Sequence, residues 1–169
     1  MNATVYYISI YAFTWFLHFF LVGKYVAVGG ICPNFALTAV IFLSLFRAEI
    51  SGMVLSFVIG LTWDVYSLDI FGLRALVFTT INYLCSVLMR NIYCAKISTQ
   101  CLIVFLASVS YSIIISFVLH YTNHNSMHFP FDVGILLGSA VTAVFSPAVF
   151  WVFNKIADAF YLNSNFGEQ

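Results

Sequence analysis

The densest run of chemically capable side chains extends from Gly60 to Leu76, GLTWDVYSLDIFGLRAL, and brings Asp64, Asp69 and Arg74 together between two apolar stretches. Charge is scarce elsewhere. An acid held at the centre of hydrocarbon costs about 2.5 kcal/mol or more, so Asp64 is expected at an interface or turned toward protein. It then acts as a structural or functional pin; the competing expectation is a solvated loop with Arg74 opening the next helix. Gly72 suits a tight turn in that segment, because glycine takes positive φ without steric cost. A second candidate is the series His120, His124 and His128. Spacing by four would align three imidazoles as metal ligands on a continuous helix. The surrounding TNHNSMHFPF, with Asn, Ser and Pro, argues instead for a polar loop. His18 stands alone in the first apolar stretch and is expected to be hydrogen-bonded inside the protein. Cys32, Cys85, Cys94 and Cys101 lack CxxC spacing and are expected as buried apolar residues. Catalysis needs a nucleophile with its base, or a metal set, facing a cavity. None of these groups supplies one, so no catalytic, cofactor or metal site is expected.

The elements that position these residues follow from composition. Hydrophobic residues make up 63% of the 169 and charged residues 7%, with a mean hydropathy of +1.02, more apolar surface than a water-soluble domain of this length can hide. A bilayer accepts it, since about 20 mainly apolar residues in helical form cross roughly 30 Å of hydrocarbon. Six Lys and Arg against six Asp and Glu leave no basic field, which excludes nucleic acid as a partner. The first apolar run has neither a charged leader nor a small-residue cleavage site, so it is expected to persist as a span.

Polar punctuation separates six apolar stretches, 3–22, 35–46, 50–63, 73–89, 97–121 and 133–153. The second and third are short and divided only by Arg47, Ala48 and Glu49. They form either a tight hairpin or a partly interfacial pair, which leaves five spans as the competing count. The expected fold is all-α and integral to the membrane, a compact bundle of six transmembrane helices forming one domain over 1–169, with a short frayed tail at 163–169. Gly52, Ser56 and Gly60 recur every four residues and lead to Asp64, placing all four on one helical face. Small residues let backbones approach where lipid gives no hydrophobic drive for helix association. Ser108, Ser112 and Ser116 repeat the spacing, as do Gly134, Gly138, Thr142 and Ser146 before Pro147. Asn82 and Ser86, one turn apart, are placed to hydrogen-bond across helices.

In order and spacing, Pro33-Asn34, then Gly60-Leu61, Asp64 and Gly72-Leu73-Arg74-Ala75-Leu76, with Pro147 and Lys155 later, resemble the MreD family of bacterial rod shape-determining membrane proteins. The similarity covers most of the chain. It departs at Cys32, where a basic residue is common, and at Ser56, where small residues vary. The resemblance implies a six-span fold similar to the substrate-binding subunit of energy-coupling-factor vitamin transporters. It implies a non-enzymatic scaffold in the bacterial inner membrane that binds MreC and, through it, the MreB filament, RodA and a penicillin-binding transpeptidase during lateral peptidoglycan synthesis. The motif residues carried over as partner-binding or structural are Pro33, Asn34, Gly52, Ser56, Gly60, Asp64, Gly72 and Arg74. The alternative is a vitamin-like binding subunit of a transporter, with His120 to His128 and Asp69 as polar contacts. Against it, the first span has only Ala3 and Ala12 and lacks the Ala-x-x-x-Ala docking pattern of those subunits.

With six spans, Arg47, Arg90, Lys96 and Lys155 fall on one side and Lys24 and Arg74 on the other, so the first side and both termini are expected to be cytoplasmic. A cysteine or reporter placed after Gln169 should be reachable from the cytoplasm, as should one at Arg90. Access to the first only from outside would overturn the orientation or the span count.

Overall fold

The computed structural model describes residues 3–19, 33–46, 49–67, 70–89, 97–122 and 133–159. They form α1 (Ala3–Leu17), α2 (Phe35–Phe46), α3 (Glu49–Ser67), α4 (Leu73–Met89), α5 (Ile97–Thr122) and α6 (Val133–Ala159). Lys24, Cys32, Arg47, Asp69, Arg90, Cys94, Lys96, His124, His128 and the tail 163–169 lie outside the described residues. Two helices outrun the apolar stretches that define them in the sequence. Helix α3 continues a turn beyond Trp63, so Asp64 sits inside it, and α6 continues through the more polar 154–159. A helix does not stop where its apolar stretch stops, because its backbone bonds are internal and the polar side chains beyond can face water or find partners in the protein.

Paired contacts give the helix directions. Parallel helices keep a constant sequence offset between level residues. Asn82 and Ser86 of α4 reach Val40 and Ser44 of α2, both at a separation of 42. Asn34 meets Thr142 at a separation of 108, and Phe42 meets Phe150 at the same offset, so α6 also runs with α2. In α3 and α4 the partners move oppositely: Gly60 lies against Ala75 and Gly52 against Asn82. Helix α1 rises with α3, since Trp15 packs on Trp63 and Phe19 on Tyr66. Thus α1 and α3 run one way and α2, α4 and α6 the other, which puts Ala3 and Ala159 at the same end of the bundle.

Helix α2 is the hub and touches each of the other five. Every residue from Phe35 to Ser44 is buried. At 12 residues it is only about 18 Å long, too short to cross hydrocarbon alone. Enclosure removes that requirement, because only a lipid-facing helix must match the membrane's thickness. Helices α3, α5 and α6 are long and apolar enough to cross a membrane, and α2 and α4 are shorter apolar helices. The outer surface carries Phe16, Val54, Leu84, Phe117, Val144 and Trp151, while Thr38, Ser56, Asp64, Asn82, Ser108 and Thr142 are inside. An apolar outer surface, with the polar groups kept inside among apolar neighbours, is the arrangement that lipid favours.

Helix α6 tolerates Pro147 for a local reason. Proline has no N–H, so the carbonyl four residues earlier, that of Ala143, loses its helical donor. Ser146 Oγ, fully buried, donates to that same carbonyl at 2.8 Å. Ser110 on α5 makes a similar bond to Leu106 O at 2.9 Å, but on the exposed side and without a proline to compensate. Ser146→Ala should therefore lower stability by about 1–3 kcal/mol, the cost of an orphaned buried carbonyl. Ser110→Ala should change it little, and thermal unfolding in detergent compares the two.

Candidate functional site

The site is a helix junction. The first four N–H groups of any α-helix lack intrahelical acceptors. At the start of α4 the capping position is Gly72, which has φ +89° and no side chain to offer. Leu73 N donates to Ile70 O at 3.3 Å, and Leu76 N donates to Gly72 O at 3.0 Å. The two between them find Asp64, on the preceding helix. Arg74 N donates to its Oδ1 and Ala75 N to its Oδ2, both at 3.1 Å. One carboxylate thus closes the first turn of α4 in bidentate fashion, where the helix dipole also favours negative charge. Asp64 is 3% exposed.

This bond requires α3 and α4 to run very close together, and Gly60 allows it. A Cβ at Gly60 would lie 2.3 Å from Ala75 Cα and 2.7 Å from Ala75 N. That is backbone against backbone, which cannot yield by a side-chain rotation. Two turns earlier, a Cβ at Gly52 would meet Leu43 O at 3.3 Å and the Asn82 amide at 3.5 Å, a tight contact that asks for a shift of a few tenths of an ångström rather than an overlap. Between them Ser56 is fully buried and directs its hydroxyl to Gly52 O at 2.7 Å. The stripe of Gly52, Ser56, Gly60 and Asp64 therefore lies on the α4-facing side of α3.

A second cap sits at the same level. Asn34 precedes α2, and its Oδ1 accepts from Leu37 N at 3.0 Å, an N-cap bond. Its own N–H donates to Thr142 Oγ1 on α6 at 3.1 Å. Pro33 before it is buried and has no N–H to satisfy. Tyr111 of α5 lies beside both caps, next to the Arg74 and Asn34 side chains and 5.3 Å from the Phe78 ring. Asp64 is linked to Arg74 through the arginine's main chain, while the guanidinium lies near Tyr111. Helices α2, α3, α4, α5 and α6 thereby meet in one polar cluster inside an apolar bundle.

A lower pin ties α4 to α2. Asn82 Nδ2 donates to Val40 O at 2.9 Å, and Ser86 Oγ donates to Ser44 O at 3.4 Å. Sequence reasoning reached these two residues and the small-residue stripe but missed Tyr111. Its only signal was a phenol amid Ser108, Ser112 and the isoleucines, away from the span ends where tyrosines usually gather. Elsewhere, His120 is exposed in the last turn of α5, and Cys85 is buried. Among the described residues no three of His, Cys, Asp or Glu come close enough to share a metal.

A helical membrane protein whose buried polar groups fasten helix to helix is the class that this fold and junction define. The chain belongs to the MreD family: residues 1–156 match rod shape-determining protein MreD. Searches of curated proteins and of solved structures gave no match. Membership places the chain in the system that determines rod shape, in a family of structural rather than enzymatic character.

The junction generates a graded mutational series. Gly60→Ala should destabilise the bundle severely, because the new methyl would overlap the Ala75 backbone, and Gly52→Ala should cost less, about 1–3 kcal/mol, because its methyl is only tight against Leu43 O. Asp64→Ala strips the acceptor from two buried N–H groups and should cost about 2–5 kcal/mol. Asp64→Asn keeps one acceptor and should fall between that variant and the wild type. Melting temperatures in detergent rank all four, and equal melting of the two glycine variants would contradict the close approach.

Proposed function

We propose that this protein is a non-enzymatic scaffold of the bacterial cell-elongation machinery. It is a single transmembrane domain over 1–169 in the inner membrane, with six spans and both termini cytoplasmic. It binds an MreC-like protein and, through it, links the MreB filament to RodA and a penicillin-binding transpeptidase during lateral peptidoglycan synthesis. Its fold resembles the substrate-binding subunit of energy-coupling-factor transporters, used here to hold proteins rather than a vitamin.

The observation that carries this reading is the use to which the motif is put. Asp64, a buried acid, accepts two main-chain N–H groups of α4 and is committed to holding helices. Asn34 and Gly60 serve the same end. A chain that uses its rare polar groups on internal architecture is suited to presenting stable faces to other membrane proteins. Rare intramembrane charges are usually paired or functional, and here the pairing sets the geometry of the faces.

Capture from native membranes in mild detergent, followed by mass spectrometry, tests the partner. An MreC-like protein should be the main companion. Asp64→Ala and Arg74→Ala should remain inserted in the membrane yet retain less of it, and cells relying on either variant should lose rod shape. Normal capture and normal rods with both variants would overturn the assignment of the junction to assembly. Retention of a small organic ligand without a protein companion would overturn the scaffold reading itself.

A further inference from the structure

Helix α2 ends inside the protein, and its far end poses the same problem that Asn34 solves at its start. No N–H within a helix reaches its last four carbonyls, which in α2 begin with that of Leu43. Leu43 is fully buried, so bulk water does not serve it. One carbonyl further on, Ser44 O draws on Ser86 Oγ, whose single proton is shared between Asn82 O at 2.9 Å and Ser44 O at 3.4 Å.

A second acceptor sits beside Leu43 O. Asn82, fully buried on α4, turns its amide nitrogen to Val40 O at 2.9 Å. That carbonyl can only accept, which fixes the orientation of the amide and sends Oδ1 the other way, where it makes no hydrogen bond. Proteins rarely leave such an acceptor unsatisfied, because it gave up water on burial and received nothing in exchange.

Both oxygens border one space. A Cβ on Gly52 of α3 would lie 3.3 Å from Leu43 O, 3.5 Å from Asn82 Oδ1 and 3.6 Å from Asn82 Nδ2, the three nearest atoms outside the glycine's own stretch of helix. A methyl group fits there only tightly. Water is smaller and approaches oxygen to about 2.8 Å, where carbon keeps roughly 3.5 Å. Whatever binds here must donate twice, since both oxygens only accept. They are also uncharged, so a sodium or potassium ion held by them would be an uncompensated charge in the interior. Water donates twice and brings no charge.

We propose that one water molecule is bound beside Gly52, donating to Leu43 O and Asn82 Oδ1 and joining α2, α3 and α4 at the end of the bundle opposite the Asp64 junction. The two glycines of the α3 stripe then differ in purpose: Gly60 makes room for backbone and Gly52 for water. Asn82 has two tasks, its nitrogen holding α2 and its oxygen holding the water. The site is independent of the scaffold reading and survives its failure.

Substitution at position 52 separates a wet contact from a dry one. Alanine displaces the water and returns nothing, whereas serine brings a hydroxyl of its own. Gly52→Ser should therefore melt about 2–4 °C above Gly52→Ala in detergent, the shift that one hydrogen bond gives in a chain of this length, and no higher than the wild type. A serine variant melting below the alanine one, or above the wild type, would overturn the proposal, since the oxygens would then have had no donor to lose. A direct reading needs no substitution. In lipid bilayers, magic-angle-spinning NMR that follows magnetisation from water protons should reach Gly52 Cα and Asn82 Cγ well before the Cα of Leu37 and Phe78, which are also fully buried. Arrival at all four together would overturn it. Melting of the wild type should be equal in sodium, potassium and choline chloride at one ionic strength, and dependence on the cation would overturn the proposal in favour of an ion.

Discussion

The architecture depends on one carboxylate reaching from α3 to the exposed N–H groups of α4. Asp64 closes a helix terminus that its own turn cannot close, because the capping position is a glycine with positive φ. The turn at Gly72 and the cap at Asp64 are two halves of one solution. A side chain at position 72 that caps well would disfavour the turn, and the turn without a remote acceptor would leave two N–H groups orphaned. The remote acceptor needs α3 within backbone contact of α4, and Gly60 permits that distance. Local conformation, helix packing and buried electrostatics are therefore coupled at a single place.

From that place the constraint spreads by hydrogen bonds between helices of fixed register. Asn34, which caps α2, donates its N–H to Thr142 on α6, and Tyr111 of α5 packs beside both caps. Lower down, Asn82 and Ser86 fasten α4 to α2 at one-turn spacing. In lipid such bonds matter because apolar burial between helices gives little net drive, and shape alone leaves sliding unopposed. The central α2 illustrates the result. It is almost wholly apolar, so its position is fixed from outside, by an Asn cap at its start and by the α4 side chains that reach its carbonyls.

Much of this was legible in the sequence, for physical reasons that differ by element. Spacing by four exposed the stripe on α3, since helical geometry puts such residues on one face, and the scarcity of charge singled out Asp64. The short second stretch left the span count open, because length alone says nothing of a helix enclosed by protein. The partner of Asp64 was not legible. Sequence placed Asp64 and Arg74 in one segment without naming a bond between them, and the bonds go to the main-chain N–H groups of Arg74 and Ala75, which composition cannot reveal. Tyr111 was missed on similar grounds, because its role depends on the level of α5 against α2 and α4. Membership of the MreD family rested on the ordered motif, and the structure gives that motif a physical content in two helix caps and one close approach.

The most direct measurement of this account is amide hydrogen exchange across residues 70–80 in lipid nanodiscs, comparing the wild type with Asp64→Ala. If Asp64 caps α4, the Arg74 and Ala75 amides are protected in the wild type. They lose that protection in the variant, while the amides of α2 around Val40 keep theirs. Rapid exchange at Arg74 and Ala75 in the wild type, or protection unchanged by the substitution, would contradict the claim that this carboxylate holds the junction.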